Sequence, residues 1–234
     1  MNENEEIIPK IIEVEEIIPK WVLLNHKSEI AMEWFEKNLD YHYLRDFIDL
    51  NENSLIVDIG MYTGVWLKDM YCKYRCNCIG IEPVLEYFNK AKDILTDSSK
   101  IKLYNYGVYP GKKTINERMY IAGEGSFINF NKEHIETPWK KITLKPISSF
   151  FANIDQHIDV LQINIEGSEY KILPYMVKHD LFKYVNNIQI QFHDIIPQSH
   201  NNMTKIIDSI KKSGFELLYN YDYFWCGFKN IRIL

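Results

Sequence analysis

Two clusters of residues in this chain of 234 residues have the types and spacing to do chemistry. The first can move a proton: Glu166 and Glu169, three apart in Glu166-Gly167-Ser168-Glu169, and His193 in Phe192-His193-Asp194. A neutral imidazole takes a proton from a weak nucleophile near neutral pH, and a carboxylate can orient the partner or take the proton itself. Each residue also has a plainer role: His193 could hydrogen-bond a loop, and Glu169 could serve only the dipole of the helix it opens. The second cluster can hold a ligand. Asp58-Ile59-Gly60-Met61-Tyr62-Thr63-Gly64 directly follows the apolar run Leu55-Ile56-Val57, and Glu82 stands 18 residues beyond Gly64.

What this glycine turn can hold follows by elimination. A nucleoside triphosphate loop needs a lysine and a hydroxyl after its last glycine, whereas Gly64 is followed by Val65 and Trp66. A dinucleotide loop needs a second glycine where the pyrophosphate passes, and that position is Tyr62. A nucleoside without phosphate remains, and S-adenosylmethionine fits. Its sulfonium tolerates the acid Asp58, and its ribose offers two adjacent hydroxyls to a carboxylate at the next strand end, Glu82. The expected cofactor set is Asp58, Gly60, Tyr62, Thr63, Gly64, Glu82 and Pro83. Tyr62 and Thr63 are assigned to the methionine end. Asn105 is expected to reach the adenine or a neighbouring loop, and Ser126 to sit in a turn that closes over the cofactor or simply ends a hairpin. Asn164, at the end of a later strand, joins this set.

The elements that must position these residues alternate. Lys27 to Asp49 reads as helical. Leu55–Ile59, Cys78–Glu82 and Ile101–Val108 read as strands, with helices at Val65–Tyr74 and from Pro83 to Leu95 between them. Ile158–Ile165, Ser168–His179, Asn187–Phe192 and Met203–Ser213 continue the pattern as strand, helix, strand, helix, and Phe215–Tyr219 with Tyr223–Leu234 reads as a terminal hairpin. Such alternation predicts an α/β fold, a mostly parallel sheet with helices on both faces. Residues 1–20, which carry EEIIPK twice, read as an N-terminal arm. Residues 21–234 read as one domain with a hairpin or lid insert at about 110–149.

Composition narrows the partners. The net charge is −5, which gives no general attraction to nucleic acid or anionic membrane. No apolar run approaches the roughly 20 residues that span a bilayer, and the acidic start MNENEEIIPK lacks the form of a signal peptide. A cytoplasmic protein is expected. Cys72, Cys76 and Cys78 invite a metal site, but zinc ligands usually come from two separated segments and the only other cysteine is Cys226. Reduced thiols and no metal are therefore expected.

The stretches LIVDIGMYTG (55–64), IGIEP (79–83), ITLKPISSFF (142–151) and IDVLQINIEGSEYKIL (158–173) resemble the FkbM family of class I S-adenosylmethionine-dependent methyltransferases. IQIQFHD (188–194) resembles the family's next strand. The resemblance implies a Rossmann-like, seven-stranded sheet with an antiparallel last strand. It also implies methyl transfer to an oxygen, with a small-molecule or glycan acceptor. The acidic charge balance sets nucleic acid aside as a partner, and a homodimer is expected. A methyltransferase-like scaffold without activity is the alternative. Two positions depart from the family pattern: its strand-end acid is Asn164 here, and the acid two before the histidine is Gln191. Amides bind hard divalent ions less well than carboxylates, which argues against a magnesium-assisted reaction. His193 is expected to be the base, with Glu166 and Glu169 as its alternatives.

Overall fold

The computed structural model describes residues 28–97, 99–121, 127–128, 139–194, 198–221 and 224–232. The arm at 1–20 and Ser126 lie outside these residues. In chain order the elements are α1 (Ser28–Glu36), α2 (Leu39–Leu44), β1 (Leu55–Ile59), α3 (Val65–Tyr74), β2 (Asn77–Ile81), α4 (Leu85–Ile94), β3 (Ile101–Tyr104), β4 (Gly107–Tyr109), β5 (Ile115–Tyr120), β6 (Phe127–Ile128), β7 (Trp139–Pro146), α5 (Ile147–Phe151), β8 (Ile158–Ile163), α6 (Glu169–Lys178), a 3-10 turn at Leu181–Tyr184, β9 (Val185–Ile190), α7 (Ser199–Lys212), β10 (Phe215–Tyr221) and β11 (Trp225–Asn230).

Seven strands form one sheet in the order β10-β11-β9-β8-β1-β2-β3. β3, β2, β1, β8 and β9 run parallel, and β11 runs antiparallel to both of its neighbours. The chain leaves β1 toward β2 and returns through β8 on the other side, so the order reverses between β1 and β8. Ligands in such sheets bind beyond the carboxyl ends at that point. β1 is buried along its whole length, which is why LIVDI reads as an apolar run rather than an alternating one. Its two faces enter different cores. Val57, Leu161 and Ile188 meet Ile172, Met176 and Ile207 on one side; Ile56, Cys78 and Val160 meet Trp34, Leu44, Trp66 and Met70 on the other. In α7, Met203, Ile206, Ile207 and Ile210 are buried on one face, each worth about 1.5–3 kcal/mol of apolar burial. The helix ends before Gly214 at φ +93, a left-handed position that glycine takes without strain.

Two expectations change here. The stretch Lys27 to Asp49, read as one helical pattern, is two short helices broken at Asn38, whose φ of 51 is left-handed. The break seats Trp34 against Tyr221 and Phe224, with ring centroids 5.1 Å apart in both pairs. The strand expected at Ile101–Val108 divides at Asn105 and Tyr106, so that β3 stays in the main sheet and β4 opens a second one. That sheet has the order β4-β7-β5-β6. β4 pairs parallel with β7, and β5 pairs antiparallel with both β7 and β6. Cys72 is exposed, Cys76, Cys78 and Cys226 are buried, and all four are free thiols. Among the described residues no helix is long and apolar enough to cross a membrane.

Candidate active site

The glycine turn after β1 is built from three left-handed residues: Gly60 at φ 88, Tyr62 at φ 51 and Gly64 at φ 78. The two glycines serve different ends. A Cβ on Gly60 would stand 1.8 Å from the carbonyl oxygen of Asn164, so this glycine lets the ends of β1 and β8 close together. A Cβ on Gly64 would press on Leu95 and Ala91 at 2.8 and 3.0 Å, so this one lets α4 pack against the turn. The backbone N–H groups of Gly60 and Met61 donate to the carbonyl of Ile81 at 2.9 and 3.1 Å, which ties the turn to the end of β2. Tyr62 swings its ring onto Tyr87, with centroids 4.4 Å apart, and Thr63 is half-buried beside it.

Glu82 closes this half of the site. It is 5% exposed. Its Oε2 accepts from the Tyr62 N–H at 3.0 Å and its Oε1 from the Val84 N–H at 2.7 Å. Burial pushes its carboxyl up to about 8, against the pull of those two donors, and the charges of Asp58 and Glu166 add to the rise. Pro83 follows two residues ahead of α4. Asn105 gives its amide N–H groups to the carbonyls of Glu82 and Pro83 at 2.9 and 3.2 Å. Of the two roles expected of Asn105, the structure displays the neighbouring-loop contact. Asp58 sits one residue before the strand end, 1% exposed. Its Oδ1 accepts from Gln162 Nε2 at 3.2 Å, and burial, offset in part by this bond and by Arg45, pushes its carboxyl up to about 7.

Across the switch point, the strand ends of β8 and β9 bring Glu166, Glu169 and His193 together. Glu166 and Gly167 are both left-handed, at φ 51 and 91. This tight corner lets the Gly167 N–H donate to Glu169 Oε2 at 2.8 Å. The spacing of the Glu-Gly-x-Glu motif thus has a physical reason: glycine turns the chain, and the second acid caps the turn from the first position of α6. Glu169 is fully buried. Its Oε1 also accepts from the His193 backbone N–H at 2.9 Å and lies 3.0 Å from His193 Nδ1. On the other side of the ring, Nε2 stands 3.3 Å from Glu166 Oε2, too poorly aligned to count as a hydrogen bond. Burial alone would push the imidazole down; the two carboxylates overcome it and raise it to about 10. This corrects the expectation of a neutral imidazole, since His193 is held as an imidazolium between two acids near neutral pH.

Three buried polar atoms at this carboxyl edge have no hydrogen-bond partner among the described residues: Asn164 Oδ1, Gln191 Nε2 and His193 Nε2. Buried polar groups are rarely left so, and a ligand in the crevice is what would satisfy them. Glu82 has spent two acceptor positions of about four that a carboxylate offers. The residues therefore fit a nucleoside cofactor with ribose hydroxyls and a charged methionine end. Gln162, Gln191 and Tyr170, whose hydroxyl donates to the His193 carbonyl at 2.9 Å, were not among the expected site residues. The available signals were Gln162 inside the apolar strand IDVLQI and Gln191 one residue beyond the end of β9, the position already set apart as a departure from the family pattern.

A parallel sheet with one antiparallel strand, a glycine turn at the switch point and an acid at the second strand end define the class: a Rossmann-like, S-adenosylmethionine-dependent methyltransferase. Residues 58–217 match the Methyltransferase FkbM domain, and the chain belongs to that family. No curated protein sequence matches it. Among solved structures, it is similar to the fibrillarin pre-rRNA processing protein of Methanococcus jannaschii, at 12% identity over 80% of this chain and 69% of that one, with a TM-score of 0.45. It is similar to Aeropyrum pernix fibrillarin in complex with natively bound S-adenosyl-L-methionine, at 10% identity over 82% and 73%, TM-score 0.44. It is also similar to a putative rRNA-methylase from Clostridium thermocellum, at 9% identity over 84% and 97%, TM-score 0.48.

Proposed function

We propose that this methyltransferase transfers the methyl group to a hydroxyl oxygen of a sugar, glycan or similar small molecule. The observation that carries this reading is the Glu166–His193–Glu169 cluster at the carboxyl edge. S-adenosylmethionine, when bound, would supply a methyl group on a positively charged sulfur, which leaves as the neutral thioether when the methyl is transferred. Gly60, Tyr62, Thr63 and Gly64 would shape its seat, Glu82 would accept from its ribose, and Asn164 would offer an oxygen to its polar end. Holding the acceptor in line with that methyl accounts for much of the rate.

Proton handling falls to the cluster. Positive charge gathers on the acceptor oxygen as the new bond forms, and the hydroxyl proton must then leave. Glu169 anchors His193 through Nδ1, and the imidazolium fixes Glu166, the more exposed of the two acids. Glu166 is thus an anion placed to meet the developing charge and accept the proton. The direct test is a mass-spectrometric screen of candidate glycans and small hydroxylated acceptors for the gain of one CH2. A product methylated on nitrogen or carbon, or Glu166→Gln turning over as fast as the parent, would overturn the assignment.

A further inference from the structure

A groove lies beside α2, and none of the carboxyl-edge cluster lines it. This groove, of about 470 Å³, runs between the loop after α2 and strands β9, β10 and β11. Gly227 makes room for it: a Cβ there would stand 2.2 Å from the Tyr219 ring, so the glycine lets that ring lie against β11. Tyr43, Phe47 and Tyr219 give the groove aromatic walls.

Its polar lining offers oxygen acceptors. Asp58 Oδ1 accepts from Gln162 Nε2 at 3.2 Å, and Gln162 Oε1 accepts from Gln189 Nε2 at 3.0 Å. A carboxylate at one end thereby orients both amides. Gln189, 2% exposed and part of the groove lining, is left with an Oε1 that has no partner among the described residues. Asn186 gives its Nδ2 to Asp159 at 3.0 Å and is likewise left with an unpartnered Oδ1. The acidic and basic residues of the lining are His42, Asp46, Asp49, Asp159 and Lys229. Asp46 is paired with Lys73 at 2.6 Å and Asp49 lies 4.0 Å from Lys229, while Asp159 bonds only neutral donors.

We propose that this groove is a second ligand site, for a small organic ammonium on a flat apolar body, and that it is coupled to the cofactor turn. Buried acceptors without donors favour an N–H ligand, the carboxylates favour a cation, and aromatic faces hold both the body and the charge. Coupling has two physical routes. One is the Gln189–Gln162–Asp58 chain, which crosses three adjacent strands in register to the strand that ends in the glycine turn. The other is the Leu44 carbonyl at the end of α2, which accepts from Trp66 Nε1 at 2.9 Å and from Gln189 Nε2 at 3.4 Å. Trp66 is the second residue of α3, directly after the turn. A ligand that draws on Gln189 changes the hold on both, and by linkage the cofactor changes the ligand's affinity equally. The coupling half rests on the cofactor assignment of the turn; the binding half does not.

Titration of the full chain with benzylamine at neutral pH, followed by amide NMR, tests the site without cofactor or acceptor. Saturable shifts at Gly227 and at the Gln189 side-chain amide are expected, with benzyl alcohol about tenfold weaker or more. Gln189→Met and Asp159→Asn should each weaken benzylamine by about tenfold with the melting temperature checked. Lys229→Gln, an exposed change that removes the groove's lysine, should tighten it about threefold. No groove shifts at millimolar benzylamine, equal binding of the alcohol, or indifference of both Gln189→Met and Lys229→Gln would overturn the site. Saturating benzylamine should change S-adenosylmethionine affinity about threefold or more, and Gln162→Met, which breaks the first route and leaves the Leu44 carbonyl route, should reduce that change. An unchanged affinity in the parent protein would overturn the coupling while leaving the groove in place.

Discussion

Glu82 and Glu169 stand at the same edge of the same sheet, both almost fully buried and both accepting backbone N–H groups, yet they keep different company. Glu169 has the His193 ring at 3.0 Å. Glu82 has no cation beside it among the described residues, and burial holds its carboxyl at about 8. One acid is satisfied by the protein alone; the other is left expensive to ionise. The difference separates a permanent structural pair from a group that waits for a ligand. Ribose hydroxyls and a nearby sulfonium are what would make ionised Glu82 favourable, so part of the binding energy of the cofactor is stored as the discomfort of an unpaired buried acid.

The largest expected effect comes from breaking the satisfied pair. Glu169→Gln leaves His193 with one carboxylate and should lower stability by about 3–5 kcal/mol in a denaturant titration. It should also bring the imidazole down from about 10 when followed by NMR. Next is Glu166→Gln, which should cut turnover by about 10²-fold while cofactor affinity holds, read from separate rate and calorimetric measurements. A loss of cofactor binding instead would place Glu166 in the other half of the site. Third, Glu82→Gln should weaken S-adenosylmethionine by about tenfold or more in a calorimetric titration. The same change should lower the stability of the cofactor-free protein near pH 8 by less than Glu169→Gln does, because it removes a buried acid with no cation beside it and leaves only one of the Tyr62 and Val84 N–H donors facing an amide NH2; an equal loss would make Glu82 as structural as Glu169.

The pH trends take opposite signs in the two acids' surroundings. Glu82 is raised, so its protonated form is the one favoured before binding, and the cofactor favours the ionised form. Affinity should therefore rise with pH, by about tenfold from pH 7 to 9, and lose that rise in Glu82→Gln. His193 is also raised, from 6.5 to about 10. Its contribution to stability is fully present below 6.5 and is lost as pH climbs toward 10. Melting temperatures between those limits should fall in the parent and fall less in His193→Gln.

Much of this arrangement was legible in the residues. β1, β2, β8 and β9 announce themselves as short apolar runs between helical patterns, and the Glu-Gly-x-Glu corner is visible because glycine and acids rarely fall so close after a buried strand. The break in the first helical pattern was not legible, because Asn38 has no local partner that demands a left-handed turn; the fit of Trp34 against Tyr221 and Phe224 decides it from a distance in sequence. The strand that divides at Asn105 was missed for a similar reason. Its apolar content runs on without a gap, and only the pairing of Gly107–Tyr109 with β7 pulls it into another sheet. The charge on His193 was misread because both carboxylates that raise it come from a different strand end, 27 and 24 residues earlier in the chain.

β3 ends the main sheet on one side with only four residues, Ile101–Tyr104, and carries an exposed lysine, Lys102. A long bare border would invite another chain to add a strand there; a short one with a solvated charge discourages it. Self-association of this enzyme should accordingly not proceed by adding a strand of a second copy to β3.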